Sequence, residues 1–323
     1  MKIKFRIRRY NPADAETPEP YYQAYSVEVS EGMTVLEALL KIEEEEDPTL
    51  SFRKSCRSAI CGSCAMTVNG FARLTCSLQI LPEYKKMGEM TIEPLANYRP
   101  IKDLVVDMEP FWSKIDKVTP YLTPTEKSIG NPVTAEAQER IDDSQRCIMC
   151  GCCNAECNSL EIDGYFIGPA ASAKAWRFVG DIREGQEGRR LAKLSEEHGV
   201  WDCVRCIHCT QYCPKDVKPL KQIELLRSAA MKEGILENPG AKHVAAMADS
   251  VERVGRLDEA AMTFKTLGFL RSLGMIPMGI KLERHGKMPH PYIRPQIDKI
   301  DEVRKVYEEI DRKAGRKPGK KKE

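Results

Sequence analysis

Eight of the chain's thirteen cysteines fall into two runs of identical spacing: Cys147, Cys150, Cys153 and Cys157, then Cys203, Cys206, Cys209 and Cys213. Each run reads CxxCxxCxxxC, the ligand spacing of a pair of iron-sulfur clusters in which the last cysteine of each run serves the other cluster. A tight loop can cap three corners of a small iron-sulfur cube with thiolates, but it is too short to reach the fourth corner. The remote cysteine supplies it. One site then takes Cys147, Cys150, Cys153 and Cys213, and the other takes Cys157, Cys203, Cys206 and Cys209. Zinc fits less well, because structural zinc uses two CxxC-type pairs rather than triplets at three-residue steps. A disulfide framework fits less still, since such frameworks belong to short secreted domains with even cysteine counts.

A second cysteine group lies near the start: Cys56, Cys61, Cys64 and, after a gap, Cys76. This is the CxxxxCxxC...C spacing of a plant-type 2Fe-2S cluster. Gly62 inside the loop lets the backbone approach the cluster and aim N–H groups at its sulfurs. Arg53, Lys54 and Arg57 would offset its negative charge. The thirteenth cysteine, Cys152, is out of step with the three-residue spacing and is expected to be a small buried apolar residue rather than a ligand.

The stretches around this group alternate. Lys2 to Arg9 and Tyr22 to Val29 read as a hairpin. Thr34 opens an amphipathic helix whose inner side is Val35, Leu36, Leu39, Leu40 and Ile42. Met66 to Val68 and Phe71 to Thr75, joined by Asn69-Gly70, form a type I′ hairpin, and Thr91 to Pro94 closes the sheet. A proline-rich connection follows, with a short helix expected at Ile101 to Met108. Beyond Thr134 the pattern becomes helical, with helices over Ser172 to Asp181, over Arg190 to His198, and from Pro219 to Gly234 with Ile223, Leu226 and Ala230 inside. The expected fold is α+β. A β-grasp 2Fe-2S domain of plant-ferredoxin type occupies 1–103, a connection 104–138, an all-α two-cluster domain of bacterial-ferredoxin type 139–240, and a helical C-terminal extension 241–323.

Composition excludes several functions. Fifty basic residues against 48 acidic ones give a formal charge of +2, and three thiolate-bound clusters would move this to about −4. No aromatic-basic stripe suggests a nucleic-acid surface. No apolar run reaches the ~20 residues that cross a bilayer, and Met1 to Tyr10 lacks the pattern of a secretory leader, so the polypeptide is expected to stay on the cytoplasmic side unless a partner carries it across. Phe264 to Leu282 is apolar but broken by Gly268, Gly274 and Gly279, and is expected to pack on its own domain or a partner. The basic run Arg316 to Lys322 reads as a solvated end. With no GxGxxG motif, no Ser-His-Asp set and five scattered histidines, the chain offers no catalytic residues for dinucleotide or acid-base chemistry.

A plant-type 2Fe-2S domain joined to a helical two-cluster domain resembles the iron-sulfur subunit of succinate dehydrogenases and fumarate reductases. Tyr10-Asn11-Pro12, Ser55-Cys56-Arg57, Cys61-Gly62-Ser63-Cys64, the run from Asp103 to Met108 and the run from Phe166 to Ala170 sit where that family has similar stretches. The resemblance covers residues 1 to about 235. It implies an electron relay between an FAD-containing flavoprotein subunit, which interconverts succinate and fumarate, and a membrane quinone or membrane-associated subunit. The alternatives are an iron-sulfur subunit of another flavin-dependent oxidoreductase, such as a thiol- or hydroxyacid-linked one, and a free ferredoxin-like carrier.

The chain departs from typical members of that family in four places. The tryptophan pair that helps form their quinone site is absent from Asn158 to Tyr165. Val204 stands where a histidine is common, and Asn158 where proline often follows Cys157. Typical members also lack the cysteine corresponding to Cys206 and hold a 3Fe-4S cluster through the equivalents of Cys157, Cys203 and Cys209. Here the extra thiolate implies a second 4Fe-4S cluster, with a 3Fe-4S cluster beside a free Cys206 as the alternative. The tail beyond about residue 240 is also longer than in typical members, which points to a non-classical branch whose membrane-associated subunit differs from the usual haem-bearing helices.

Overall fold

The computed structural model describes residues 1–14, 18–130, 132–288 and 296–313. Two compact units emerge, Met1–Glu233 and Gly234–Glu323. The run Arg316 to Lys322 lies outside the described residues.

In the first unit, β1 (Lys2–Arg9) and β2 (Tyr21–Glu28) pair antiparallel, with Phe5 opposite Tyr25. The alternation in β1 sends Ile3, Phe5, Ile7 and Arg9 to the buried face. Helix α1 (Val35–Glu45) follows, capped by a reciprocal box in which Thr34 accepts from the Glu37 amide and Glu37 accepts from the Thr34 amide. Its buried residues are Val35, Leu36, Ala38, Leu39 and Ile42, with Leu40 partly covered. Strands β3 (Ala65–Val68) and β4 (Phe71–Leu74) form the hairpin, with Asn69 and Gly70 both at positive φ. Helix α2 (Ile80–Met87), which periodicity alone did not reveal, precedes β5 (Met90–Glu93). Strand β5 inserts parallel to β1 and antiparallel to β3, giving the order β2-β1-β5-β3-β4.

The helix expected at Ile101 to Met108 is absent. Instead β6 (Pro100–Lys102) and β7 (Val105–Val106) make a small antiparallel ribbon, and helix α3 (Glu109–Lys117) begins just after it. Two causes are visible. Val105 and Val106 are β-branched and favour extended backbone, and Asp103 turns the chain at φ 47°. That turn places the Asp103 carboxylate where it accepts from Arg9 Nε (3.0 Å), the Tyr10 amide (3.0 Å) and the Ser51 amide (2.9 Å).

The helical part contains α4 (Ala135–Gln145), capped by Thr134, the one-turn α5 (Cys152–Ala155), α6 (Asn158–Ile162), α7 (Gly168–Val179), α8 (Glu187–Leu194), the one-turn α9 (His208–Gln211) and α10 (Pro219–Lys232). Helix α7 starts a turn earlier than expected, and α8 stops at Leu194 rather than running to His198. It is central: Ala170, Ala171, Ala173 and Ala175 are all buried, and their small side chains let neighbouring segments approach closely. The proline-rich connection is strapped down rather than loose. Arg190 donates to the carbonyls of Val118, Thr119 and Tyr121 and pairs with buried Glu184 at 3.0 Å.

The second unit comprises α11 (Pro239–Val254), α12 (Glu259–Leu267), α13 (Phe269–Leu273), α14 (Ile276–Arg284) and α15 (Ile300–Lys313), with α12 and α15 both packed on α11. The apolar stretch from Phe264 to Leu282 is thus divided among three short helices. Its side chains are largely exposed.

The buried charges of the N-terminal part form one network. Arg9, 5 % exposed, also pairs with Asp47 and donates to Tyr25 and Thr49. Burial alone would raise the Asp47 carboxyl, but hydrogen bonds from Thr49, Tyr25 and Arg9 outweigh it and hold the group well below the usual carboxylate range. Asp103→Ala is expected to cost about 3 kcal/mol in urea unfolding, because it leaves the Arg9 guanidinium buried with fewer partners. A depressed carboxyl stabilises the fold above its unfolded pKa and loses that contribution as pH falls through its folded one. The Asp47 contribution should therefore be complete above roughly pH 5 and fade below about pH 4, which unfolding midpoints across that range would check.

Candidate iron-sulfur sites

The first cysteine group sits on the loop between α1 and β3, with Cys76 just after β4. Arg57, Ala59 and Gly62 adopt positive φ there, curling the backbone so that its amides turn inward. The amides of Ser58 (3.4 Å), Ile60 (3.4 Å) and Cys61 (3.3 Å) point at Cys56 Sγ, and that of Ala59 (3.2 Å) at Cys76 Sγ. Ser63 Oγ lies 3.1 Å from Cys61 Sγ, and this hydroxyl, with backbone amides, pulls the Cys61 thiol toward the thiolate form. Cys61 faces solvent while Cys64 is buried, and burial pushes the Cys64 thiol upward.

The two remaining runs fold into loops of matching backbone. Met149 (φ 56°) and Gly151 (φ 82°) in the first correspond to Arg205 (φ 59°) and Ile207 (φ 69°) in the second. Each loop then enters a one-turn helix, α5 or α9, carrying its third cysteine. In the second loop the Arg205 amide points at Cys203 Sγ at 3.4 Å, and in the first the Met149 amide bonds Cys147 in the same way. Cys206 therefore occupies the place in its loop that Cys150 occupies in the other. The loops differ for a steric reason. A Cβ on Gly151 would lie 2.8 Å from the Tyr98 hydroxyl, whereas Ile207 is 55 % exposed and meets no such neighbour.

The loops and their remote cysteines enclose two cavities. One is lined by Cys147, Cys150, Cys153 and Cys213, with Ala170 and Ala173 of α7 beside them. The other is lined by Cys157, Cys203, Cys206 and Cys209, with Phe166 and Pro169 at the start of α7 and Ile223 of α10. The crossed sets expected from spacing are thus brought together. Cys152 lines neither cavity: it is wholly buried in an apolar cluster with Leu36, Ala72, Leu74, Leu95 and Ala155.

The donor chemistry fits iron. Burial, reinforced by repulsion from the neighbouring sulfurs, raises the Cys147, Cys153 and Cys157 thiols, and it takes Cys209 up to about 12. Thiols that resist ionisation yet converge with other sulfurs on one space call for a cation to stabilise their thiolates. Buried protein cations stand near as well. Arg227 donates to the Val200 carbonyl (2.9 and 2.7 Å) and to the Cys203 carbonyl (2.8 Å).

Comparison with known proteins agrees with this geometry. Residues 4–113 match the family described as "2Fe-2S iron-sulfur cluster binding domain", and residues 143–217 match "4Fe-4S dicluster domain". The 8-methylmenaquinol:fumarate reductase iron-sulfur subunit of Wolinella succinogenes is 36 % identical over 296 residues, covering 88 % of this chain and 91 % of that one. The chain belongs to the succinate dehydrogenase and fumarate reductase iron-sulfur subunit family. It is an electron-transfer subunit of an oxidoreductase of that class and carries 2Fe-2S and 4Fe-4S clusters. The fold is also that of a chain in the Mycobacterium smegmatis Sdh1 complex in the apo form, at a TM-score of 0.63 and 22 % identity over 72 % of this chain and 97 % of that one. Among the described residues, no helix is long and apolar enough to cross a membrane.

Several side chains that position this family's cluster sites carried no sequence signal. The Asn97 amide, held at φ 62°, donates to the carbonyls of Asn154 (2.9 Å), Ala155 (3.1 Å) and Cys157 (3.1 Å). Glu156 accepts from the Ala72 amide, and Phe71 stacks on Tyr212 with centroids 4.9 Å apart. These contacts fasten the sheet to both cluster loops. Gly62 lets the two parts touch directly: a Cβ there would lie 2.7 Å from Cys150 Cβ. Gly62→Ala, strained also by its φ of 76°, should destabilise the chain by at least about 1 kcal/mol. It should also weaken the magnetic coupling between the reduced 2Fe-2S cluster and its neighbour, seen as narrower EPR lines.

Proposed function

We propose that Cys56, Cys61, Cys64 and Cys76 hold the 2Fe-2S cluster, that Cys147, Cys150, Cys153 and Cys213 hold one 4Fe-4S cluster, and that Cys157, Cys203, Cys206 and Cys209 hold a second. The observation that carries the third set is the matched backbone of the two loops, in which Cys206 is the counterpart of Cys150. Bound in these places, the clusters supply one-electron transfer with no bond made or broken on the protein. The chain's own residues keep the sites aligned through Gly62, Asn97 and Glu156 and aim amides at the ligand sulfurs. They contribute no acid or base to dicarboxylate chemistry.

In this reading an FAD-containing flavoprotein docks at the exposed Cys61 side, where Ile60 is also exposed, and interconverts succinate and fumarate. The relative's name, a menaquinol:fumarate reductase, supports the same pair of substrates and a quinone at the far end. Around the third site the exposed side chains include the apolar Ile162, Tyr165, Val204 and Ile207 beside the charged Glu161, Asp202 and Arg205, and residues 158–165 contain no tryptophan. That surface suits a membrane-associated subunit as the immediate acceptor, with the complex peripheral on the cytoplasmic side of the membrane. Adding succinate to the purified complex should reduce its flavin and then the clusters of this chain; flavin reduction without cluster reduction would reject the relay.

Anaerobically purified chain is expected to contain roughly ten irons, and Cys206→Ser about nine, with a new strong signal in the oxidised state. Nine irons and that signal already present in unaltered protein, unchanged in Cys206→Ser, would overturn the third ligand set. Cys61→Ser should remove or perturb the 2Fe-2S EPR signal alone. Cys152→Ala should leave the iron content unchanged.

A further inference from the structure

Residues 259–288 of the C-terminal unit gather a dense run of apolar side chains that stay exposed. Helices α12 and α14 bury no residue and α13 buries only Ser272. Leu270 is 82 % and Phe269 68 % exposed, while Leu273, Ile276, Met278 and Ile280 lie between 42 and 51 %. A helix facing water is ordinarily polar on its outer side, and a contiguous apolar patch marks a contact surface.

We propose that this segment is an in-plane membrane contact that sinks its apolar side chains into the boundary between the headgroups and acyl chains of an anionic leaflet. Two observations favour lipid over a protein partner. The first is direction: at ~100° per residue, Ile276 and Met278 point to nearly opposite sides of α14, and the chain turns a corner at Gly268 (φ 78°) so that Phe269 and Leu270 form its tip. A protein groove receives one stripe of a helix, whereas acyl chains are an apolar solvent that accepts every direction. The second is charge. Between residues 260 and 288 the sequence carries the cations Lys265, Arg271, Lys281, Arg284 and Lys287 and one acid, Glu283, with Lys265 paired outside the segment, to Asp249 of α11. Cations bordering an exposed apolar surface match negatively charged headgroups. Helices of nine, five and nine residues are far below the ~20 needed to span, so they lie along the surface. This contact does not depend on which acceptor receives the electrons.

The test uses the full chain, purified anaerobically with its clusters, in flotation with vesicles of phosphatidylcholine alone or mixed with phosphatidylglycerol. Binding is expected to the mixed vesicles, to persist in part at high salt, and to weaken roughly tenfold or more in the Phe269→Ser, Leu270→Ser double variant with unchanged cluster spectra. Absence of binding, or binding indifferent to the double variant, would overturn the proposal. Oxidative footprinting of Met275 and Met278 in the assembled complex separates lipid from protein. Reaction before vesicles are added and protection afterwards supports the inference, and protection already present without lipid assigns the surface to a neighbouring subunit instead.

Discussion

Converging thiols are unstable company. Cys153, Cys157 and Cys209 are buried in the two helical cavities, where burial and the neighbouring sulfurs both disfavour their thiolates, so a cation between the sulfurs would hold the arrangement better than sulfur-sulfur contact. The loops themselves have little regular structure: α5 and α9 are single turns, and the backbone before each passes twice through positive φ, once at a β-branched residue in the case of Ile207. Cluster binding and folding are therefore the same event there. The β-grasp part differs. Its sheet and α1 enclose a conventional apolar core, and its cysteines lie on a loop at the edge.

The relay depends on how those two kinds of structure are joined. A shared apolar cluster runs from Leu36, Leu74 and Leu95 on the sheet side to Cys152 and Ala155 on α5. Polar clamps from Asn97 and Glu156 fix the register across it, and Gly62 lets the two loops touch. An electron carrier gains from this rigidity, since the geometry between donor and acceptor must be the same in both redox states.

The cysteine arithmetic was legible because cluster ligation is a local constraint on spacing, and the crossed ligand sets reappear as the linings of two cavities. Alternation in β1, the Thr34 cap and the Asn69-Gly70 turn were legible for the same reason: each is decided by a few neighbouring residues. The ribbon at Pro100 to Val106 was not, because Asp103 is committed to Arg9, Tyr10 and Ser51, partners half a domain or more away in sequence. Asn97 and Glu156 were silent likewise, their roles existing only after the two parts dock. The apolar stretch from Phe264 to Leu282 was visible from composition, but that its side chains stay exposed became apparent only in three dimensions.

The proposed crossed ligand sets, taken as they stand, bear on biosynthesis. Every residue of the 2Fe-2S site has been made once Cys76 is polymerised. The site beginning at Cys147 must wait for Cys213, and α10, which helps wall both cavities through Pro219 and Ile223, comes later still. A nascent chain would then hold a finished β-grasp domain while both helical cavities gape, each with three of its proposed thiolates coming from one end of the gap or the other. Insertion of the larger clusters is thereby deferred until nearly the whole first unit is synthesised, with Cys209 and then Cys213 completing the two sets in close succession.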